Sequence, residues 1–298
     1  MVRQYKIHTN LDGTDDKVWD VTNGKVRFYQ PSNLGLQSTN NIWQSNGIGI
    51  MGTRSITQPQ IEFKLETFGE SLEENYRLMK DFINDILNKK FVTLEYQTEI
   101  FQVYADLALA EVTKTEGYGK NGTFSEKITF DIITKWYTYE NLTFDMIKNG
   151  EVIAGKSKIY GGTAPGSYKY VEGVSYTYYG ETNIERLSRW DIKDEIFSFM
   201  GILYPQLPKT PTGVRFLDDI GNEYTAIVFK TEELQDYILI NTDVNDETYQ
   251  GWKGTTALNL FPVMDFERYR TRIIKKGQME LINLTKAEFK IKRKADFV

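Results

Sequence analysis

Short runs in which apolar and polar residues alternate recur along most of this chain, and they constrain its fold more than any other feature. In the clearest run, Ile61, Phe63 and Leu65 alternate with charged residues. A period of two puts the apolar side chains on one face of a β-strand, and that face must pack on a core. Further strands are predicted at 91–96, 100–112, 124–133, 213–217, 223–229, 236–241, 256–261, 270–274, 279–282 and 287–291. The chain is therefore expected to be mainly β, with two β-sandwich-like domains.

The spacing of the apolar residues changes once, just after position 71. Leu72, Tyr76 and Met79 recur every three or four residues, which is the period of an amphipathic α-helix. Ser71 precedes this run and Glu74 follows three positions later, a pair that can cap the first backbone N–H groups of a helix. The sequence predicts one helix at about 72–88, with its apolar stripe against a core.

A tight turn is predicted near the N-terminus. Asn23 and Gly24 separate two strand-like runs at 18–21 and 26–29. Asn-Gly supplies the two positive φ angles that a two-residue hairpin turn needs. The two runs are therefore predicted to form a hairpin.

Two glycine-rich stretches interrupt the strand pattern of the first half. Residues 31–58 contain Pro31, many polar side chains and four glycines, which is typical of a long loop. Only a short strand near Ile48 and Ile50 is expected there. The second stretch, 117–122, is rich enough in glycine to reverse the chain and predicts a long hairpin with a projecting tip.

Length and composition indicate two domains. A chain of 298 residues exceeds what one hydrophobic core usually organises, and the first pattern of strands ends near residue 140. Residues 155–180 contain six Gly and six Tyr with almost no aliphatic pattern, so they cannot form a core alone. The stretch is expected to be mobile or ordered by a partner, since Tyr is enriched in interfaces. The alternative is an ordinary pair of strands, and residues 186–200 fit a helix or a strand.

Composition excludes most catalytic and metal-binding chemistry. The chain has no Cys and one His, which removes thiolate sites, most zinc sites and the usual serine triad. His8 is expected to be a polar residue at a strand end. No P-loop, dinucleotide fingerprint or G-x-S-x-G elbow occurs, and the acidic runs 12–16 and 243–247 do not match a calcium loop. No enzyme activity, cofactor or metal is expected, although acidic pairs brought together by folding leave a glycosidase open.

Charge and hydropathy indicate which partners to expect. The net charge is -5, but the local charge of residues 267–298 is +6, with a basic cluster at the end that is compatible with nucleic-acid contact. Phe289 and Ile291 alternate with Lys290 and Lys292, however, which favours a strand with one buried and one solvated face. No specific nucleic-acid binding is expected. The sequence shows no cleavable signal and no apolar run of 18 residues, so a soluble protein without membrane contact is predicted.

One segment and the order of the elements resemble a known protein family. The segment is Asn41–Arg54, NIWQSNGIGIMGTR, and the strand that begins at Gln60 follows it. The order is a hairpin, a polar loop, a strand, a helix, further strands and a second all-β half. These features resemble the distal tail proteins of siphophages that infect Gram-positive bacteria, and the length and pattern are most similar to the lactococcal members.

The resemblance implies both an architecture and a role. It implies a ring-forming β domain at 1–140 that contains the helix, and a galectin-like β-sandwich at 141–298 with a Gly/Tyr-rich arm inserted at about 145–200. It also implies a hexameric ring at the tail tip of the virion, or baseplate, assembled from protein made in the host cytoplasm. The ring would join the tail tube to receptor-binding proteins and let DNA pass. The candidate partner-binding residues of the arm are Tyr160, Tyr168, Tyr170, Tyr176, Tyr178, Tyr179 and Trp190.

The residues also permit a different class of function. Exposed Tyr and Trp side chains offer flat apolar surfaces on which sugar rings stack, so a carbohydrate-binding module that recognises the host cell wall is the alternative. Such a module can act as a monomer of 34.6 kDa, whereas a ring is several times larger. A galectin-like fold does not decide the matter, because the sequence contains no sugar-site motif.

Overall fold

The computed structural model describes residues 3–13, 15–35, 37–57, 60–114, 123–144, 146–148, 151–152, 174–178, 184–244 and 246–295. The chain divides into two compact units, Met1–Thr138 with Ala295–Val298, and Tyr139–Lys294. Strands dominate both units, and the described residues contain a single α-helix. The prediction of a mainly β chain with one helix is confirmed.

The first unit is an antiparallel sheet that carries this helix. The elements are β1 (Gln4–His8), β2 (Val18–Asp20), β3 (Val26–Ser32), β4 (Gln37–Ser45), β5 (Ile48–Thr57), β6 (Gln60–Thr67), α1 (Leu72–Leu87), β7 (Val92–Gln97), β8 (Gln102–Thr113) and β9 (Ser125–Ile132). The strands of the sheet run in the order β2-β1-β7-β8-β9-β6-β3, while β4 and β5 pair with each other in a separate two-stranded ribbon. β8 and β9 form the predicted long hairpin, whose connection at 115–122 lies outside the described residues.

Aromatic packing holds the helix on the sheet. Phe82 is fully buried, and the ring of Trp19 meets it edge-on at a centroid distance of 5.2 Å. The ring of Phe28 approaches Phe82 at 5.8 Å and stacks on Phe63 of β6 at 4.6 Å. Burying one such ring contributes about 2 to 3 kcal/mol to stability. The period-two face of β6 and the helical stripe therefore share one core.

The start of α1 follows the predicted capping pattern with one change. The hydroxyl oxygen of Ser71 accepts a hydrogen bond from the backbone N–H of Glu74 at 3.2 Å. The Glu74 carboxylate reaches back one residue beyond Ser71 and accepts from the N–H of Glu70 at 2.8 Å. Asn75, which is fully buried, accepts from the N–H of Gly69 at 2.6 Å. The chain before the helix is thus held by side chains of its first turn.

The predicted hairpin at Asn23 and Gly24 is wrong. β2 pairs with β1 and β3 pairs with β6, so the two runs form no ladder with each other. One backbone hydrogen bond links them, from the N–H of Phe28 to the carbonyl of Val21 at 2.7 Å. The carboxylate of Asp20 accepts the N–H groups of Thr22 and Asn23, both at 2.9 Å, and winds the chain into a tight helical turn. A side chain on Gly24 would lie 2.2 Å from the Asp20 carbonyl oxygen, so glycine is needed there for close approach.

The predicted long loop at 31–58 is also wrong. β4 and β5 occupy most of it and form a long antiparallel hairpin. Its turn is Asn46 and Gly47, with φ values of 51° and 79°. These are the positive angles of a two-residue hairpin turn. The Asn-Gly signal was therefore present in the sequence, but at this second site.

The second unit is a sandwich of two sheets. Its strands are β10 (Tyr137–Phe144), which begins in the first unit, β11 (Met146–Lys148), β12 (Glu151–Val152), β13 (Val174–Tyr178), β14 (Ile184–Ile192), β15 (Ile196–Pro205), β16 (Thr212–Leu217), β17 (Glu223–Phe229), β18 (Tyr237–Asn241), β19 (Thr248–Lys253), β20 (Thr256–Asn259), β21 (Gly277–Ile282) and β22 (Leu284–Lys294). One sheet has the order β10-β22-β15-β18-β19-β20 and the other β12-β11-β14-β21-β16-β17, with β13 beside β14. The rings of Phe199 in β15 and Phe216 in β16 meet at 5.9 Å inside the shared core.

Three predictions in this half need correction or completion. The ambiguous run 186–200 is strand on both sides of a short turn, since β14 ends at Ile192 and β15 begins at Ile196. The predicted strand 256–261 is shorter in the structure, because β20 ends at Asn259. Phe261 starts a 3-10 turn, Phe261–Val263, in which Pro262 has no backbone N–H for strand pairing. Residues 270–274 are not a strand, although Ile274 forms a single bridge to Ile196.

We expect Gly213 in β16 to be one of the two most sensitive glycines of this sandwich, together with Gly277, whose φ is +148° and whose added methyl group would lie 2.0 Å from the carbonyl oxygen of Leu217. The φ of Gly213 is +152°, and an added methyl group would lie 2.0 Å from the carbonyl oxygen of Ile227. Gly213→Ala should lower the free energy of unfolding by roughly 3 kcal/mol, because strain and a backbone clash add. The control Gly221→Ala has a φ of +88° but open space around the methyl group, and should cost about 1 kcal/mol. Equal losses in urea denaturation would contradict this assignment.

Candidate interaction surfaces

The β4–β5 ribbon carries apolar side chains on both of its faces. Trp43 lies opposite Ile50 in the register, and Ile42 lies opposite Met51 on the other face. Their exposed fractions are 66%, 60%, 55% and 50%, and that of Ile48 near the turn is 69%. An isolated two-stranded hairpin is only marginally stable in water. A ribbon with these exposed residues is a strong candidate for contact with another chain.

The predicted arm can be followed where the structure describes it. Tyr160, Tyr168, Tyr170 and Tyr179 lie outside the described residues. Tyr176 and Tyr178 lie in β13, opposite Leu187 and Glu185 of β14. β14 also pairs with β11 along 184–186 and with β21 along 189–192. One strand therefore runs from the predicted arm into the second sheet of the sandwich.

The C-terminal part of the predicted arm belongs to the sandwich. Trp190 is 9% exposed and packs in the core of the second unit, together with Ile192 and Ile196. Its indole is therefore enclosed within this unit and does not offer an open contact surface, which corrects its place among the candidate residues. The physical reason is the period of β14, which turns Trp190 and Ile192 to the same face.

A groove crosses the outer face of the first sheet of the sandwich. Its volume is about 490 Å³. The side chains of Met200, Ile202 and Leu239 line its floor, since they alternate with the core residues of β15 and β18. The amide of Asn241 donates to Asp246 at the rim, at 3.1 Å. The groove offers an apolar floor with polar edges, which is the chemistry of a binding surface.

Basic residues of the C-terminal strand form ion pairs inside the sandwich. β22 is a strand as predicted, but Lys292 is not on a solvated face. Its ammonium group forms an ion pair with Asp243 at 2.7 Å, and the two side chains are 6% and 8% exposed. Arg293 pairs with Glu140 at 3.0 Å and Asp194 at 2.9 Å. Because a buried charge needs its partner, this cluster is part of the framework of the sandwich.

His8 holds a network that the sequence did not indicate. It lies at the end of β1 as expected, but its Nδ1 lies 2.6 Å from Asp16 and its Nε2 lies 2.8 Å from Glu95. Lys6 also contacts the Glu95 carboxylate at 3.0 Å. The imidazole of His8 lies between the carboxylates of Asp16 and Glu95. No group of three His, Asp or Glu side chains suited to a metal ion occurs in the described ranges. The network ties the loop at 9–17 to β7.

The charge of Glu95 is stabilised by this network. Burial acts to raise its pKa, but hydrogen bonds from His8 and Lys6 outweigh burial, and the pKa of Glu95 lies below its ordinary value. The carboxylate is therefore ionised where the protein is folded at neutral pH. The arrangement stabilises structure, and Glu95 has no open space beside it, since the residue is 4% exposed.

No helix in the described part of the chain has the length and apolar character that a membrane crossing requires.

Comparisons with known proteins bear on both units. Residues 4–133 match a family model described as the N-terminal domain of distal tail protein, and residues 135–298 match the Dit C-terminal domain. The chain is 92% identical to the distal tail protein of Lactococcus phage p2 and 91% identical to that of Lactococcus phage SK1, over the full length of each chain.

Two solved structures are also similar to this chain. A chain of the phage p2 baseplate in its activated conformation with calcium is 90% identical, has a TM-score of 0.80, and covers 100% of both chains. The Dit protein of SPP1, described as a paradigm of the hub adsorption apparatus in phages that infect Gram-positive bacteria, is 10% identical with a TM-score of 0.52 over 98% of both chains. That second likeness concerns the fold alone.

We expect Glu95 to make folding sensitive to acid. Since its pKa is lowered in the folded state, its stabilisation is complete above the ordinary pKa of a glutamate, about 4.3, and is lost as the pH falls through the folded value. Glu95→Gln should be less stable than the parent at pH 6 by roughly 1 to 3 kcal/mol, and the difference should shrink towards pH 3. Glu99→Gln, at an exposed position in the next turn, is the control. A constant difference across this range in thermal denaturation would contradict the assignment.

Proposed function

The chain belongs to the distal tail protein family, and from this premise we propose that it forms the hexameric ring that joins a tail tube to receptor-binding proteins. Its place is the tail tip of a phage, and its role is that of a structural hub of the baseplate. We also propose that it has no catalytic activity. The surfaces described above, and not a reaction centre, carry this function.

The observation that carries the ring is the β4–β5 ribbon. A cyclic ring is built from one contact in which each copy presents one surface to a neighbour and accepts that neighbour on a different surface. A ribbon that exposes Trp43, Ile48 and Ile50 on one face provides such a surface, because water leaves these side chains on assembly. The number of copies, six, follows from the family resemblance.

The arm is the proposed attachment site of the receptor-binding proteins. β14 extends from the second sheet to residue 184, where it pairs with β11 and β13. β14 is continuous from this pairing to Trp190, which packs in the core, so one strand links the proposed attachment site to the sandwich. The tyrosines of this region can contribute large contact areas with little loss of side-chain entropy.

The proposed ring leaves a channel for DNA without binding it. Six copies of net charge -5 give about -30 in total, and duplex DNA binds proteins mainly through contacts of its phosphates with Lys and Arg. The basic cluster at the C-terminus is engaged by Asp243, Glu140 and Asp194 within the sandwich. This pairing favours passage of DNA over its capture.

We predict that the ribbon controls assembly. The unaltered protein should have about six times the chain mass of 34.6 kDa in multi-angle light scattering at micromolar concentration. The double variant Trp43→Ser, Ile50→Ser should lower this mass to that of smaller species, because apolar contact area is lost at the interface. Its thermal unfolding should stay close to that of the parent, since neither side chain belongs to a core cluster.

The matched control is Ile220→Ser, which removes a single isoleucine that is 82% exposed in a turn of the second unit. This variant should keep the mass of the ring. A parent protein that is monomeric even with its tail partners would refute the ring, and an unchanged mass in the double variant would show that the ribbon is not the interface.

Replacement of residues 155–180 tests whether the arm holds the receptor-binding proteins. A short Gly-Ser linker in place of residues 155–180 should leave the protein folded and able to form the ring, because most of the sandwich core lies outside this range. The variant should lose its hold on the receptor-binding proteins in a pull-down with purified partner. Unfolding would show that the stretch is core, and full binding would show that the attachment site lies elsewhere.

A further inference from the structure

The groove on the outer face of the first sheet, here called the outer groove, spans most of that sheet and lies within the second unit. Five neighbouring strands contribute to its lining: β10, β22, β15, β18 and β19. Because adjacent strands lie about 4.8 Å apart, the groove crosses about 19 Å of the sheet. Its volume of about 490 Å³ falls within the usual range for small ligands, about 300 to 1,000 Å³. These dimensions favour an elongated small molecule over a compact one.

The floor of the outer groove is apolar but only partly exposed. Met200, Ile202 and Leu239 alternate with the buried residues of β15 and β18, and all three side chains are partly buried. A protein partner would remove little apolar area from water by covering them. The C–H face of a sugar ring, in contrast, needs only a small apolar patch. The floor therefore favours a sugar over a protein.

Two aromatic rings lie on the same face beside this floor. Tyr237 and Trp252 lie opposite each other in the register of β18 and β19. Their rings are nearly parallel, with an interplanar angle of 14° and a centroid distance of 6.0 Å. Tyr237 alternates along β18 with Leu239 and Asn241, so the two rings continue the floor on one side. Aromatic rings present flat apolar faces, and the C–H faces of sugar rings stack on such surfaces.

Polar groups at the rim are held in place by the fold. The amide of Asn241 donates to Asp246 at 3.1 Å, and its oxygen accepts the backbone N–H of Asp243 at 3.0 Å. These two bonds use one N–H and one lone pair, so the amide keeps the capacity for further bonds. The rim also includes the amide of Asn141 and the hydroxyls of Thr143 and Thr248. Groups that both donate and accept hydrogen bonds match the hydroxyls of a sugar.

The charges around the outer groove balance each other. Its lining contains two carboxylates, those of Asp246 and Glu288, and one ammonium group, that of Lys290. Glu288 pairs with Lys286, and the ammonium group of Lys290 lies 4.0 Å from the ring centroid of Tyr139. The described lining therefore has no excess of positive charge with which to attract a phosphate or a sulfate. This balance favours an uncharged ligand.

We infer that the outer groove binds a neutral oligosaccharide. The C–H faces of its sugar rings lie on the apolar floor, and one ring stacks beside Tyr237 and Trp252. Its hydroxyls exchange hydrogen bonds with Asn241 and Thr248. The inference goes beyond the hub role and does not rest on it, because neither the ring nor the arm is needed for this contact.

Saturation-transfer NMR of the purified full chain tests the inference. The probes are neutral di- to tetrasaccharides of glucose, galactose and N-acetylglucosamine. Receptor-binding proteins are left out, so that any sugar signal arises from this chain. At least one neutral probe should show saturation of its C–H protons. Phosphorylated forms of that probe should bind at least about tenfold more weakly, because the groove offers them no excess of positive charge. Lack of signal from every neutral probe overturns the inference, and equal binding of the phosphorylated forms also overturns it.

A matched pair of variants locates the binding site. Ile202→Arg puts a long charged side chain on the floor of the groove and should reduce the affinity for the neutral probe at least about tenfold. Ile282→Arg makes the same change on the outer face of the other sheet, beside Glu280, and should bind as the parent does. Both isoleucines are partly buried, so thermal unfolding should change similarly in the two variants. Parental affinity in Ile202→Arg refutes the site.

Tyr237→Ser provides an independent variant that adds no charge, and it decides the matter if Ile202→Arg does not fold. It removes one of the two parallel rings and should weaken binding at least about threefold. The mass of the purified protein in light scattering should equal that of the parent, so loss of sugar binding is distinguished from loss of the ring. Unchanged affinity in Tyr237→Ser contradicts the proposed contact.

Discussion

The architecture of this protein depends on how the backbone N–H and C=O groups at the edges of its sheets are hydrogen-bonded. Every strand presents N–H and C=O groups on two sides, and each group must pair with protein or with water. Two regions show different solutions. β17 is covered by 263–268, and β4 and β5 pair with each other away from the main sheets. The first solution stabilises the single chain, and the second leaves a surface that a further chain can complete.

Local patterns in the sequence were enough to predict most of the regular elements. The alternation of Ile61, Phe63 and Leu65 identified β6, and Ser71 with the spacing that follows it identified α1. Both signals arise from neighbours in the chain, so no tertiary information was needed. The single change of period also predicted correctly that the described chain would contain one helix.

The two Asn-Gly pairs show where local reasoning fails. At Asn46 and Gly47 the dipeptide forms the hairpin turn, with both φ angles positive. At Asn23 and Gly24 the carboxylate of Asp20 takes the backbone N–H groups of the turn, and the chain winds helically. The dipeptide is the same, and the residue three positions earlier decides the outcome. A polar side chain that competes for backbone groups must therefore be weighed before a turn is assigned.

Contacts between distant positions could not be predicted. His8 meets Glu95 across 87 positions, and Lys292 meets Asp243 across 49 positions, with both pairs largely buried. A basic residue in an alternating strand was expected to face solvent, but Lys292 is buried because it pairs with the carboxylate of Asp243 from another loop.

The candidate surfaces were partly predictable for a similar reason. Composition predicted a tyrosine-rich arm, which stays a prediction, whereas the burial of Trp190 depends on the partners of β14.

In the proposed ring, the ribbon that is apolar on both faces links folding to assembly. The unit from which β4 and β5 project leaves Trp43 and Ile50 exposed on one face and Ile42 and Met51 on the other. In a closed ring each copy both gives and receives such a contact, so removal of one copy opens two interfaces at once. The cost of exposing these side chains to water therefore favours complete rings over partial ones. The stability of the proposed ring then depends on apolar area that each copy cannot bury alone.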